Sequence, residues 1–123
     1  MKRWLLSAAL VAATFVLSGC TAEEILFFDA VTAPTRDVLD HEQLYRLRWC
    51  ESTDNYHAIS PGGWYRGGYQ FDYQTWNGVA SRHFPWLVGF DPAYTEPYWQ
   101  DAMARALYSE RGRQPWPVCG SRI

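Results

Sequence analysis

Two short stretches of this 123-residue chain hold the residues best suited to chemistry: Cys50-Glu51-Ser52, with Asn55-Tyr56 just beyond, and Trp116-Pro117-Val118-Cys119-Gly120. A bond between Cys50 and Cys119 would close most of the chain into one loop and fix an acidic residue beside the staple. Between the cysteines run Gly68-Tyr69, Gln70-Phe71 and other aromatic steps. Aromatic faces pack against the apolar C–H faces of sugars, while ring edges and hydroxyls take polar contacts. One positioned carboxylic acid in an aromatic cleft is the minimum equipment for cleaving a glycosidic bond.

Such an acid works only if it stays protonated near neutral pH. Burial against apolar rings achieves this by disfavouring the charged form. Glu51 falls at the end of an expected helix, where the negative end of the dipole also favours the neutral acid. Stripped of its neighbours it would be an ordinary surface glutamate beside a structural disulfide. Glycosidases usually employ a second carboxylate, and the candidates are Asp54, Asp72 and Asp101. Asp54 suits a turn, Asp72 a helix cap, and Asp101 the first turn of a helix, so none is a convincing partner. A lone acid suits a reaction in which the substrate supplies its own nucleophile and Glu51 acts first as acid, then as base. A hydrolase that admits water to the same open site is the other outcome.

Six Trp and eight Tyr lie between Tyr45 and Trp116. In so small a domain most must also be core. Trp49, Trp76 and Trp99 are expected to be packing, with Trp76 exposing one edge, whereas Tyr65, Tyr69 and Trp116 are expected as groove walls. Asn55 and Gln70 carry two-sided amides suited to sugar hydroxyls and N-acetyl groups, although Asn55 equally suits the turn after Glu51. His41, His57 and His83 are too dispersed for a metal site, and Ser52 has no His–Asp pairing. We expect neither metal nor cofactor.

The positioning elements follow from periodicity and punctuation. Val38, Leu44, Leu47 and Cys50 share one face of a helix over about 38–51. Ser60-Pro61-Gly62-Gly63 between Ile59 and Trp64-Tyr65 predicts a β-hairpin within 57–70, with a second bend at Gly67-Gly68. Asp72 caps a short helix through Trp76 to Val79. Residues 81–94 read as loop. Pro97 opens a last helix through about Glu110, with Trp99, Met103, Ala106 and Leu107 as its buried stripe and Gly112 as its stop. Helices around one hairpin describe a small α+β domain, mostly helical, with one disulfide.

The first 19 residues read as a leader: Lys2 and Arg3, then an uncharged run from Trp4 to Val16 too short for a comfortable membrane span. Leu17-Ser18-Gly19-Cys20 matches the bacterial lipobox, in which Cys20 becomes the lipidated first residue of the mature protein; an ordinary secretory leader is the alternative. Lipidation leaves Cys50 and Cys119 as an even pair in an oxidising compartment. Residues 20–36 are expected as a tether, in which Phe27-Phe28 rests either on the membrane or on the domain, and 37–123 as the folded domain. Beyond the leader, nine arginines and no lysine face thirteen acidic residues. With no basic run, nucleic acid is excluded as a partner.

Taken in order, Cys50-Glu51-Ser52, Asn55-Tyr56, Gly62, Tyr65, Gly68-Tyr69-Gln70-Phe71, Thr75-Trp76 and Trp116-Pro117-Val118-Cys119-Gly120 resemble the catalytic domain of actinobacterial resuscitation-promoting factors, over residues 42–121. The resemblance implies a compact lysozyme-like fold, a Cys50–Cys119 disulfide and action on peptidoglycan glycan strands. It places the family's catalytic glutamate on Glu51 and its substrate-groove residues on Thr75, Trp76 and Trp116. The chain departs from the family at Thr53 and Asp54, where two glycines are usual, and at Arg111 and Arg113. The expectation is a lipid-anchored, extracytoplasmic enzyme, a lytic transglycosylase or muramidase, cutting the β-1,4 bond between N-acetylmuramic acid and N-acetylglucosamine, with a peptidoglycan endopeptidase as candidate partner. The alternatives are a non-catalytic peptidoglycan-binding lipoprotein that assists a partner hydrolase, and a structural envelope lipoprotein.

Overall fold

Side-chain caps start the first three of four α-helices. In the computed structural model, which describes residues 19–123, these are α1 (Ala22–Thr32), α2 (His41–Ser52), α3 (Tyr73–His83) and α4 (Pro97–Arg111). The leader before Gly19 lies outside the described residues. Thr21 and Glu24 form a reciprocal capping box on α1, and Asp40 and Gln43 form another on α2. Asp72 caps α3, its carboxylate accepting from Thr75 N–H. α4 has no side-chain cap; Pro97 sits at its start, where the missing N–H costs nothing. Gly112 ends it at φ +59°.

The apolar stripes of α2, α3 and α4 meet in one core. Leu44 and Leu47 come from α2, Trp76 and Val79 from α3, and Trp99, Met103 and Leu107 from α4, with Leu39 and Phe84 closing the ends. Trp76 is wholly enclosed, its indole N–H donating to Leu87 O at 3.0 Å. The edge it was expected to expose is covered. Of residues 81–94, expected as loop, 81–83 instead complete α3, and the rest carries two single-turn 3₁₀ segments, Pro85–Leu87 and Pro92–Tyr94. A third, Cys119–Arg122, brings the tail back against α2.

The expected hairpin is absent, and the α+β class with it: among the described residues there is no β-strand, only isolated bridges pairing Ile59 with Arg66 and Arg66 with Phe71. The reason lies in the backbone. Gly62, Gly63, Gly67 and Gln70 all sit at positive φ, so the chain reverses too often for a ladder to extend. Side chains take over the ladder's work. Gln100 is buried, and its amide accepts from Gly68 N–H at 2.9 Å and donates to Tyr56 O at 3.0 Å and Thr95 O at 2.8 Å. A Cβ on Gly67 would stand 2.6 Å from that amide oxygen and 3.1 Å from Pro92 O, so only glycine admits this approach.

Ala22–Thr32, expected within a tether, form a docked helix. Phe28 meets Trp99 edge-on at 4.9 Å between ring centroids and Tyr98 at 5.3 Å, and Thr32 is buried. The disulfide joins Cys50 of α2 to Cys119 across 69 positions. A closed loop of that length lowers the entropy of the unfolded chain enough to contribute about 4 kcal/mol, a large share of a small domain's stability. Paired Cys50→Ser and Cys119→Ser substitution should therefore lower the urea midpoint by the equivalent of about 4 kcal/mol, and a reductant should do the same to the wild type. Insensitivity to both would show that the bond carries no stability.

Candidate active site

Glu51 occupies the last turn of α2, and the chain reverses sharply just beyond it. Thr53 (φ +54°) and Asp54 (φ +59°) are both left-handed, with Thr53 N–H and Asp54 N–H closing back on carbonyls of the helix end. These are the two positions at which the sequence departs from a glycine pair, and the backbone shows why glycine suits them. Asp54 offsets part of the strain by pairing its carboxylate with Arg48 Nε at 2.7 Å. Ser52 braces the same turn: its hydroxyl lies 2.9 Å from Gly68 O and 3.0 Å from Arg48 O, and accepts from Asn55 N–H.

A cleft of about 480 Å³ opens over Glu51, with Gln70, Thr75, Pro117-Val118 and Cys119 in its lining. Burial raises the Glu51 carboxyl above its ordinary value. The neighbouring end of α2 carries the negative end of the helix dipole, which acts in the same direction. The group is thus held towards its neutral, proton-donating form.

The other carboxylates are engaged elsewhere. Asp54 is paired with Arg48. Asp72 does border the cleft, but both its oxygens are taken by Thr75, from N–H at 2.7 Å and from the hydroxyl at 2.9 Å. Asp101, expected as a first-turn acid, is the acceptor of a partly buried cluster. The hydroxyls of Tyr56 and Tyr69 both donate to its Oδ1, and Arg48 Nη1 stands 3.3 Å away. Burial, then the charge of Asp101, push both phenols well above the usual tyrosine range. Nothing in the spacing of these residues announces that cluster.

Of the expected site residues, the structure brings Glu51, Tyr65, Tyr69, Gln70, Thr75 and Trp116 to one cleft. Asn55 and Trp76 are not in its lining. Asn55 is exposed, its amide oxygen accepting from His57 N–H at 2.9 Å, which is the turn-holding role. Tyr69 and Trp116 form the floor rather than the walls, since Trp116 is only 4% exposed and donates its indole N–H to Tyr69 O at 3.1 Å. The Gln70 amide turns inward to Gly67 O at 2.9 Å. Tyr65 is left as the half-open ring. Arg111 and Gln114, which the motifs do not mark as contacts, also line the cleft. Trp49, expected as packing, is 56% exposed outside this cleft.

The left-handed turn yields a direct test. Thr53→Gly should raise stability by about 1 kcal/mol, because a non-glycine side chain at φ near +55° costs that much. Asp54→Gly should gain less, since it also removes the Arg48 pair. Midpoint shifts in urea at unchanged slope would measure both, and a loss of stability in Thr53→Gly would contradict this account of the turn.

Comparison with known proteins agrees with the geometry. Residues 38–119 match the family model described as transglycosylase-like domain. An 80-residue stretch, 65% of this chain, is 36% identical to proteins named probable transglycosylase SceD in two Staphylococcus aureus strains, bovine RF122 / ET3-1 and MRSA252. The alignment covers 32% of those relatives, so the chain spans about a third of their length. No solved structure matches. With the family model spanning α2 through Cys119, Glu51 and its cleft included, the chain belongs to the transglycosylase-like domain family.

Proposed function

We propose that this chain is a peptidoglycan lytic transglycosylase with Glu51 as its single general acid and base. The observation that carries the reading is a neutral-leaning carboxyl in an open cleft whose one other carboxylate, Asp72, caps a helix. Glu51 donates its proton to the glycosidic oxygen between N-acetylmuramic acid and N-acetylglucosamine as that bond breaks. The N-acetyl group of the muramic residue stabilises the electron-poor anomeric carbon. Glu51, now a carboxylate, then removes the proton from the muramic 6-hydroxyl, whose oxygen closes on the same carbon. Proton and bond are balanced without any second carboxylate, and the ring left behind is a 1,6-anhydro sugar. If water attacks instead, the same site acts as a muramidase.

The substrate groove in this reading runs from Tyr65, Gln70 and Thr75 to Trp116, with Tyr69 as floor and with Trp76 and Asn55 acting from behind by packing and turn geometry. The motif order over 42–121 supports a lysozyme-like fold and a place among the resuscitation-promoting factors. The sequence Leu17-Ser18-Gly19-Cys20 supports lipidation of Cys20, and hence an extracytoplasmic, membrane-held protein facing the wall; a peptidoglycan endopeptidase would be a natural partner there. Cys20 is exposed, as acylation requires.

Glu51→Gln keeps size and hydrogen bonding but cannot release a proton, so cleavage of purified glycan strands should fall by about 10²–10⁴-fold while the fold persists. Mass spectrometry should find 1,6-anhydromuramic ends in wild-type products. Full activity in Glu51→Gln would overturn the assignment of Glu51 as the acid, and no cleavage by the wild type would restore the non-catalytic binder. Because Glu51 acts first as the protonated acid and its affinity for the proton is raised, kcat/KM should fall as pH rises through a value above the ordinary carboxylate range. A fall centred at an ordinary glutamate value would show that burial does not tune it. Cys20→Ser should move the protein from the membrane fraction to the medium, or leave it as unprocessed precursor; unchanged partitioning with normal processing would remove the anchor.

A further inference from the structure

α1 is apolar around most of its circumference, with Ile25, Leu26, Phe27 and Phe28 consecutive and Ala30-Val31 close behind. A helix of that kind is normally covered on all sides. The domain covers one side only. Phe28 packs on Trp99 and Tyr98, while Phe27 lies 5.1 Å from the ring of Trp86 and stays half-exposed. Ile25 is 52% exposed and Leu26 68%. A mostly apolar cleft of about 370 Å³ opens there, lined by Cys20, Ile25 and five aromatic rings, Trp86 and Tyr98 among them, with Glu24 as its one acidic group. The uncovered apolar surface therefore begins at Cys20.

We propose that this face of α1, with Trp86 and Tyr98, rests in the extracytoplasmic leaflet of the membrane, so that α1 is a rigid foot and not a slack tether. The inference rests on the lipidation of Cys20 proposed above. Cys20 immediately precedes Thr21, the helix cap, so no free linker separates an acylated sulfur from the first turn. Acyl chains that enter the bilayer there bring Ile25 and Leu26 to its surface. Trp and Tyr rings settle at the headgroup level, where one part of the ring is apolar and another wet. Glu23 and Glu24 lie in the same turn, so the contact is apolar and gains nothing from anionic headgroups. Reach is the functional consequence. A domain of about 100 residues has a radius of gyration of about 13 Å, and one held flat on the bilayer works on glycan within about one domain's breadth of it.

The test uses the processed, lipidated protein in phosphatidylcholine vesicles whose acyl chains carry bromine, a quencher of nearby tryptophan. Substantial quenching is expected, falling at least twofold in Trp86→Phe and in the paired Ile25→Asp and Leu26→Asp protein. Adding phosphatidylglycerol should not increase it. Circular dichroism checks the fold, and Leu26→Gln serves as a milder variant should the paired one unfold. An acylated protein whose tryptophans are not quenched, or are quenched equally in all variants, overturns the proposal. So does self-association in solution that the same substitutions abolish, which would assign the face to a second copy. Intact mass reads the anchor separately: a processed protein without acyl mass on Cys20 removes the anchor reading rather than this one.

Discussion

Two adjacent residues of α4, Gln100 and Asp101, hold the segment between α2 and α3, and the site depends on that hold. The segment has no ladder to fix its backbone, and a loop in contact with a core cannot leave its amides unmet. Gln100 meets three backbone groups from inside the protein. Asp101 gathers the hydroxyls of Tyr56 and Tyr69 and, through Arg48, reaches back to α2. Among the described residues no buried side-chain nitrogen or oxygen lacks a partner. Partly satisfied polar clusters destabilise, whereas complete ones select a single arrangement. Here that arrangement fixes Tyr69, and with it the floor of the cleft.

The same cluster reaches the Glu51 end of α2 without touching Glu51. Arg48 sits one helical turn before it and holds Asp54, three residues after it, at 2.7 Å. The acidic neighbour nearest in sequence is thereby pinned to a cation and removed from competition. Two left-handed residues that would ordinarily be glycine are tolerated because their backbone N–H groups close the helix and one side chain is anchored. Strain beside the acid and the electrostatics of its surroundings are thus one local solution.

Much of this is legible in the sequence, for physical reasons that can be named. Asp72, Pro97 and Gly112 mark helix ends through local chemistry, so the expected start of α3 and both limits of α4 lie close to the observed ones, whereas α2 begins only at His41, after Val38, and α3 runs past Val79 to His83. Cys50 and Cys119 remain as a pair once Cys20 has another use. The hairpin is the failure: its turn residues suggest a join between two strands, yet Gly62, Gly63, Gly67 and Gln70 reverse the chain too often for any strand to form. α1 is hidden because its apolar residues show no one-sided stripe, and only tertiary contacts with Trp99 reveal which side docks. Aromatic roles are the least legible. Composition does not distinguish a ring that lines a cleft from one that floors it, and Trp116 and Tyr69 prove to be floor. Gln100 and Asp101 carry no motif at all, since their importance arises from positions far away in the chain.

The disulfide also imposes an order in time. For a chain that crosses a membrane with its N-terminal end first, Glu51 emerges well before residues 114–119, which supply much of the cleft's lining and the partner of Cys50. Until that last portion is across and oxidised, α2 presents its acid on an unfinished surface, with Tyr69 still lacking the indole that braces its carbonyl. The covalent tie closest to the carboxyl is therefore among the last contacts such a chain can make. In a compartment that keeps its thiols reduced, the cleft beside Glu51 is left without that tie and the domain's stability is correspondingly lowered.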